Sequence, residues 1–204
     1  MHLVCLDLEG VLVPEIWIAF AERTGIAAFA RTTRDEPDYD KLMRYRLALL
    51  RENGLKLADI QDVIATMAPL AGAKDFLDDL RASYQVVILS DTFYEFAAPL
   101  MRQLDRPTLL CHRLEIDAEG FVAGYRLRQA DQKRRAVEAF KSLNYYVIAA
   151  GDSYNDTGML AAADTGLLIH PPPNVVAQFP QFAVHSDLAA LRASIDAAAQ
   201  RAGA

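Results

Sequence analysis

Four short stretches hold residue types that together could move a phosphoryl group: Asp7-Leu8-Glu9-Gly10, Ser90-Asp91, Lys133, and Gly151-Asp152-Ser153-Tyr154-Asn155-Asp156. A carboxylate such as Asp7 can attack phosphorus, forming an aspartyl phosphate and splitting one displacement into two. Bringing that anion to a phosphate dianion requires a divalent cation. Magnesium takes one or two carboxylates plus phosphate and water, which Asp7 and Asp152 would supply. The Ser90 hydroxyl beside Asp91, nearby backbone N–H groups and the Lys133 ammonium would hold the non-bridging oxygens. A second carboxylate must protonate the leaving alkoxide and then deprotonate the incoming water or alcohol. Glu9, two residues after Asp7, points to the same side while the chain stays extended.

Each stretch alone also reads as a cap on the helix that follows. Asp156 is either a supporting carboxylate or a helix N-cap, and Asn155 is equally open. Lys133 would sit in a helix's first turn, where a cation opposes the macrodipole by about 0.3–1 kcal/mol. The alternative there is an ordinary surface lysine. All four in one order, each at an element's edge, argue jointly for one site.

The elements needed to position them follow from periodicity. Continuous apolar runs at 2–6, 84–89, 145–150 and 165–169, with a weaker one at 182–186, predict strands of a parallel sheet. Helical patterns fall between them, at 74–82, 93–104, 131–143, 157–163 and 187–202. The alternation predicts a Rossmann-like, doubly wound α/β sheet, whose ligand crevice lies beyond the carboxyl ends of the strands. Residues 15–70 read as helical without a good strand, predicting a helical cap inserted after the first strand into a core of 1–14 and 71–204. Residues 108–128 read as a hairpin appended to the sheet, turning at 117–120, and Pro171-Pro172-Pro173 as a local loop.

On an ideal helix through residue 46, Arg46 shares a face with Leu42, Met43, Leu49 and Leu50, while Arg44 and Arg51 lie nearly opposite. A guanidinium inside an apolar stripe calls for an anionic partner, unless it snorkels from the core edge.

Composition narrows the classes. The 204-residue chain is 52% hydrophobic and carries a formal charge of −6, which argues against a nucleic-acid footprint. Cys5 and Cys111 lie in apolar runs and read as buried thiols of a reducing compartment. No signal peptide or membrane-spanning stretch is evident, so the expectation is a cytoplasmic protein that binds neither membrane nor nucleic acid. His2, His112, His170 and His185 share no metal-ligand spacing and read as structural, and Trp17, Phe20 and Phe29 as packing within the cap.

The four stretches resemble the motifs of the haloacid-dehalogenase superfamily: an Asp-x-Asp pair, a Ser/Thr, a Lys and an acidic pair. The likeness runs from the first strand to about residue 170, and is greatest to the phosphoserine phosphatases, through the fourth motif and residues 39–60. It implies Asp7 as nucleophile and Glu9 as acid/base, with magnesium held by Asp7, the Glu9 carbonyl and Asp152. It further implies Arg46 as the clasp for a substrate carboxylate. Glu15, one residue closer to the nucleophile than the usual pattern, would receive the substrate amino group, and Tyr39 would line the pocket. The departure is Glu9, where most of the superfamily has Asp. The Asp-Leu-Glu-Gly variant is similar to that of enzymes passing the phosphoryl group of phosphoserine to homoserine as well as to water. Three other readings stay open: water as sole acceptor, another small phosphomonoester as substrate, or a receiver-type signalling module. The acid/base at Glu9 and the helical insertion speak against the module. A homodimer is left open.

Overall fold

The apolar run at the start of the chain becomes β1 (His2–Leu6), whose last four residues are buried. It lies at the centre of a seven-stranded sheet of order β4-β3-β2-β1-β5-β6-β7. The computed structural model describes residues 1–32, 35, 36 and 38–202. The other strands are β2 (Gln85–Phe93), β3 (Leu109–Ile116), β4 (Val122–Arg126), β5 (Tyr146–Gly151), β6 (Thr165–Ile169) and β7 (Ala183–His185). All adjacent pairs are parallel except β3 with β4. The expected doubly wound α/β sheet is therefore present. The chain winds outward from β1 through β2 to β4, then returns to the other side of β1 for β5 to β7. The strand order thus reverses at β1, which is where such sheets place their crevice.

Side chains alternate along the central strands, which gives the sheet two apolar faces. Val4, Leu6, Ile88, Ile148 and Ala150 face α4 (Ala73–Ser83), α5 (Tyr94–Gln103) and α9 (Leu188–Ala202). Leu3, Cys5, Val87, Leu89, Val147 and Ala149 face α6 (Gln132–Ser142), α7 (Thr157–Ala162) and the short α8 (Pro173–Gln178). Both cysteines are free and buried. Among the described residues no helix is long and apolar enough to cross a membrane.

Between β1 and α4 the chain is helical: α1 (Ile16–Thr24), α2 (Tyr39–Glu52), α3 (Leu57–Ala65) and a 3-10 turn at Ala27–Ala30. These helices share one apolar cluster with the sheet, Phe20, Phe29, Ile60 and Ile64 joining Phe93, Phe96 and Leu114. Polar ties run to the β3–β4 hairpin: Arg51 to Asp117 at 2.8 Å, the Leu57 N–H to the Gly120 carbonyl at 2.9 Å, and the Tyr125 hydroxyl to Asp40 at 2.7 Å.

The stretch at 108–128 is the expected hairpin at the sheet's edge, with β3 parallel to β2 and β4 antiparallel to β3. Two local expectations need correcting. Strand β2 does not stop at residue 89 but runs to Phe93 across a register shift between Leu89 and Phe93. Polar Ser90-Asp91 marks that irregularity rather than the strand's end, because a bulge re-aims side chains without ending the pairing. Pro173 opens α8 instead of continuing a loop, as the fixed φ of proline suits a helix's first turn.

Phe96 bridges the helical segment and the sheet, so Phe96→Ala is expected to cost about 3–5 kcal/mol. Urea unfolding followed by far-UV circular dichroism and by the fluorescence of Trp17, the chain's one tryptophan, should give coincident single transitions. Separate transitions would show that the helical segment folds independently.

Candidate active site

The strand ends converge. Asp7 leaves β1 with its N–H bonded to the Ala150 carbonyl of β5 at 2.9 Å, which aligns Asp7 with Asp152 on the neighbouring strand. Gly10 follows at φ +78°, a conformation that favours glycine, and a Cβ there would collide with the Asp152 carboxylate. Gly151 has the same function one strand over: a Cβ would overlap Asp156. The glycines let the two carboxylate-bearing loops close on each other.

Lys133 stands at the centre. Its Nζ lies 2.9 Å from Asp7 Oδ1, 2.8 Å from Asp156 Oδ1 and 3.8 Å from Asp91 Oδ2, and it is only 3% exposed. Burial alone would depress its pKa, but Asp156, Asp7 and Asp91 outweigh that and hold it well above the usual lysine value. Asp156 does more than cap a turn. Its second oxygen accepts from the N–H groups of Asp152 (3.0 Å) and Ser153 (3.1 Å), so one carboxylate fixes both the lysine and the loop that carries Asp152.

Asp7 is 4% exposed, and its Oδ1 takes both the Lys133 contact and the Leu8 N–H at 2.7 Å. Burial, reinforced by Asp156 and opposed by Lys133, raises its pKa well above the carboxylate range. Burial likewise lifts Asp152 to about 7, with Asp156 and Glu15 adding to it. Oxygens of Asp7, Asp152 and Asp156 lie within 4.8 Å of one another. Buried carboxylates that hold protons against their nature are short of positive charge. A small oxygen-preferring dication fits that deficit, with Asp7 and Asp152 as ligands, because both oxygens of Asp156 are already engaged.

Glu9 is half-buried, and its Oε2 accepts the N–H of Ile16 at 2.9 Å, the first residue of α1. Burial raises its pKa to about 7; the Ile16 N–H works against that and Glu15 adds to it. Ser90 is 2% exposed, and its Oγ accepts the Thr92 N–H at 3.2 Å. Asp91 is kept ionised: burial would raise its pKa, but Lys133 together with hydrogen bonds from Gln132 (3.0 Å) and Asn155 (3.0 Å) lowers it.

Arg46 is buried on α2 with Leu42, Met43 and Leu50, while Arg44 is exposed and pairs with Asp40. Its Nη2 donates to the Arg31 carbonyl at 2.8 Å, and its guanidinium stacks over Trp17 at 4.5 Å. No carboxylate pairs with it among the described residues, and its Nε is buried without a partner. Burial pushes its pKa down to about 10; Tyr39, Glu9 and Glu15 oppose that. Glu15 is exposed at the start of α1, and its charge acts on Glu9, Asp152 and Arg46 alike, which puts it at the mouth of the site. The Tyr39 hydroxyl donates to the Asp91 carbonyl at 3.3 Å.

Asp7, Asp91, Asp156 and Asn155 are thus joined through Lys133 and Asp91, and the charges of Glu9, Glu15, Arg46 and Asp152 act on one another beside them. Gln132 was passed over, and His112, read as structural, touches the same group of residues. Gln132, 2% exposed, donates to the Ser90 carbonyl at 2.7 Å and to Asp91, while accepting from Arg128 at 2.7 Å. His112 accepts the Arg128 N–H on Nδ1, so its neutral ring carries the proton on Nε2, 3.7 Å from Asp91. The adjacency of Gln132 to Lys133 was the only available hint.

A sequence profile described as haloacid dehalogenase-like hydrolase matches residues 4–161. Phosphoserine phosphatase ThrH of Pseudomonas aeruginosa is 68% identical over 187 residues, covering 91% of each chain. The phosphoserine phosphatase of Pseudomonas syringae pv. tomato is 66% identical over 91% of this chain and 79% of its own. Among solved structures, the phosphoserine phosphatase from T. onnurineus in complex with NDSB-201 superposes with a TM-score of 0.71. It is 22% identical and covers 95% of this chain and 94% of its own, a likeness of fold.

The raised carboxylates couple stability to pH. Glu9 and Asp152 bind protons in the folded chain up to about 7, against ordinary values of 4.5 and 3.8. Their contribution to stability is therefore full below those ordinary values and lost as pH rises through about 7. His112, whose pKa burial lowers, works in the opposite sense. Comparing the same protein with magnesium and with EDTA removes that common effect. The magnesium-minus-EDTA difference in Tm is expected to widen from about pH 5 to about pH 8, as the cation replaces protons on the carboxylates. A difference independent of pH would contradict the assignment.

Proposed function

The chain belongs to the haloacid dehalogenase-like hydrolases, and on that premise we propose that it is a phosphoserine phosphatase that also passes the phosphoryl group to homoserine. The observation that carries the reading is Asp7: a buried carboxylate with Oδ1 fixed by Lys133 and the Leu8 N–H, beside Asp152. Both contacts fall on one oxygen, which leaves the other for attack. The names of the relatives, at 68% and 66% identity, support phosphoserine as substrate.

In the first step Asp7 attacks phosphorus and the bond from phosphorus to the serine oxygen breaks. Glu9 gives its proton to the departing alkoxide. In the second step water or the homoserine hydroxyl surrenders a proton to Glu9 and attacks phosphorus, breaking the bond to Asp7. A group with pKa about 7 can fill both roles near neutrality. Magnesium, held by Asp7, the Glu9 carbonyl and Asp152, would neutralise the phosphoryl charge. Lys133 and the Ser90 hydroxyl hold the non-bridging oxygens, Asp91 and Asn155 complete the substrate-binding wall, and Asp156 fixes the lysine. Residues 15–70 act as a cap over a core of 1–14 and 71–204. From that cap Arg46 clasps the substrate carboxylate and Glu15 receives the amino group. The orphan Nε of Arg46 supports this, since a buried guanidinium without a carboxylate is costly to leave unpaired.

The test is to supply phosphoserine with and without homoserine, and to quantify free phosphate against phosphohomoserine. Both products are expected in the presence of homoserine, and Asp7→Asn should abolish both. Glu9→Gln should lower kcat by about 10²–10⁴-fold. Glu9→Asp should shift the ratio of transfer to hydrolysis; an unchanged ratio would sink the role given to the longer side chain. Free phosphate alone would leave a plain phosphatase.

A further inference from the structure

Trp17 reads in the sequence as packing, and its surroundings show packing of an unusual kind. The indole is 9% exposed and is wedged by Phe29 (5.8 Å, stacked), Phe20 (6.1 Å, edge-on) and, from α5, Phe96 (5.1 Å, edge-on). The face left over lies 4.5 Å from the guanidinium carbon of Arg46. Arginine has a long side chain with several rotatable bonds, and a guanidinium with no carboxylate partner would ordinarily sample many of them. Here it is pinned twice. The Trp17 ring lies against the guanidinium carbon at 4.5 Å, and the Arg31 carbonyl accepts from Nη2 at 2.8 Å. Nη1 meets only the Met43 sulfur at 3.9 Å, and Nε meets nothing. Of five N–H donors, most are therefore held in place without being consumed.

We infer that Trp17 is the positioning residue for Arg46, holding its guanidinium open for a carboxylate and so favouring phosphomonoesters that carry one. The inference rests on the reading of Arg46 as the carboxylate clasp. A cation over an indole face is held most strongly when both are desolvated, as they are here. Because Trp17 lies one residue beyond Ile16, whose N–H holds Glu9, one turn of α1 sets the carboxylate clasp and the acid/base together.

The experiment compares steady-state kinetics of the magnesium-loaded full chain on phosphoserine and on phosphoethanolamine, which is phosphoserine without its carboxylate. Trp17→Leu is expected to raise KM for phosphoserine about tenfold with kcat little changed, and to leave phosphoethanolamine unaffected. Trp17→Phe should restore most of the loss. Added to Arg46→Ala, Trp17→Leu should cost nothing more on phosphoserine. Should Trp17→Leu fold poorly, Trp17→Phe carries the test, with a selective loss of about threefold.

Because Trp17 is the one tryptophan, its emission gives a second measurement: serine should perturb it in the intact chain and not in Arg46→Ala. Equal losses on both substrates, or additive losses in the double variant, would overturn the inference while sparing the role of Arg46. An Arg46→Ala variant equally impaired on both substrates would overturn both.

Discussion

A buried ammonium ringed by carboxylates organises this molecule. Lys133 reaches Asp7, Asp156 and Asp91, which come from three different places in the chain. No one of these residues is tolerable there alone, because removing one partner of a buried charge cluster leaves the rest uncompensated. The sheet topology exists, in effect, to bring them together. Reversal of strand order at β1 sets β2 and β5 on either side of Asp7, and α6 delivers the lysine from the face opposite the helical segment. The cluster still holds an excess of negative charge, which is why burial raises the pKa values of Asp7 and Asp152 despite the lysine. Oxygens of Asp7, Asp152 and Asp156 within 4.8 Å of one another are the arrangement on which the proposed magnesium site rests.

Much of this was legible in sequence, for identifiable reasons. Strands buried on both faces must be continuously apolar, so β1, β5 and β6 announced themselves, and the polar residues after β1 and β5 marked the site. Arg46 was legible because a charge in the middle of an apolar helical stripe contradicts its surroundings. Lys133 was legible for the same kind of reason, as a cation set against the dipole of its own helix.

What was missed follows a different logic. Gln132 acts through hydrogen bonds to the Ser90 carbonyl, Asp91 and Arg128, and His112, read as structural, accepts the Arg128 N–H; such contacts depend on which atoms meet across the fold. An amide or an imidazole is unremarkable at either position until its partners are known. The continuation of β2 past residue 89 was hidden because Ser90 and Asp91 broke the apolar run at the register shift. Asp156 is the supporting carboxylate that one of its two sequence readings offered, and Trp17 packs among Phe20, Phe29 and Phe96, though periodicity does not say that Arg46 lies against it as well.

Glu9 joins the two halves of the site. An aspartate at this position would be one methylene shorter than the side chain that here accepts the Ile16 N–H at 2.9 Å. That contact puts the carboxylate at the N-terminus of α1, where unpaired N–H groups favour its ionised form. Burial pulls the other way and is the larger effect, and the balance falls at about 7. Were burial unopposed, the group would stay protonated and could donate but not accept. Were the helix terminus dominant, it would stay ionised and could accept but not donate. Either extreme would disable one half of a two-step transfer. The longer side chain thus ties the protonation state of Glu9, the acid/base of the proposed reaction, to the placement of α1, the helix that also carries Trp17 beside Arg46. Displacing that helix would disturb the Glu9 contact and the Arg46 contact together.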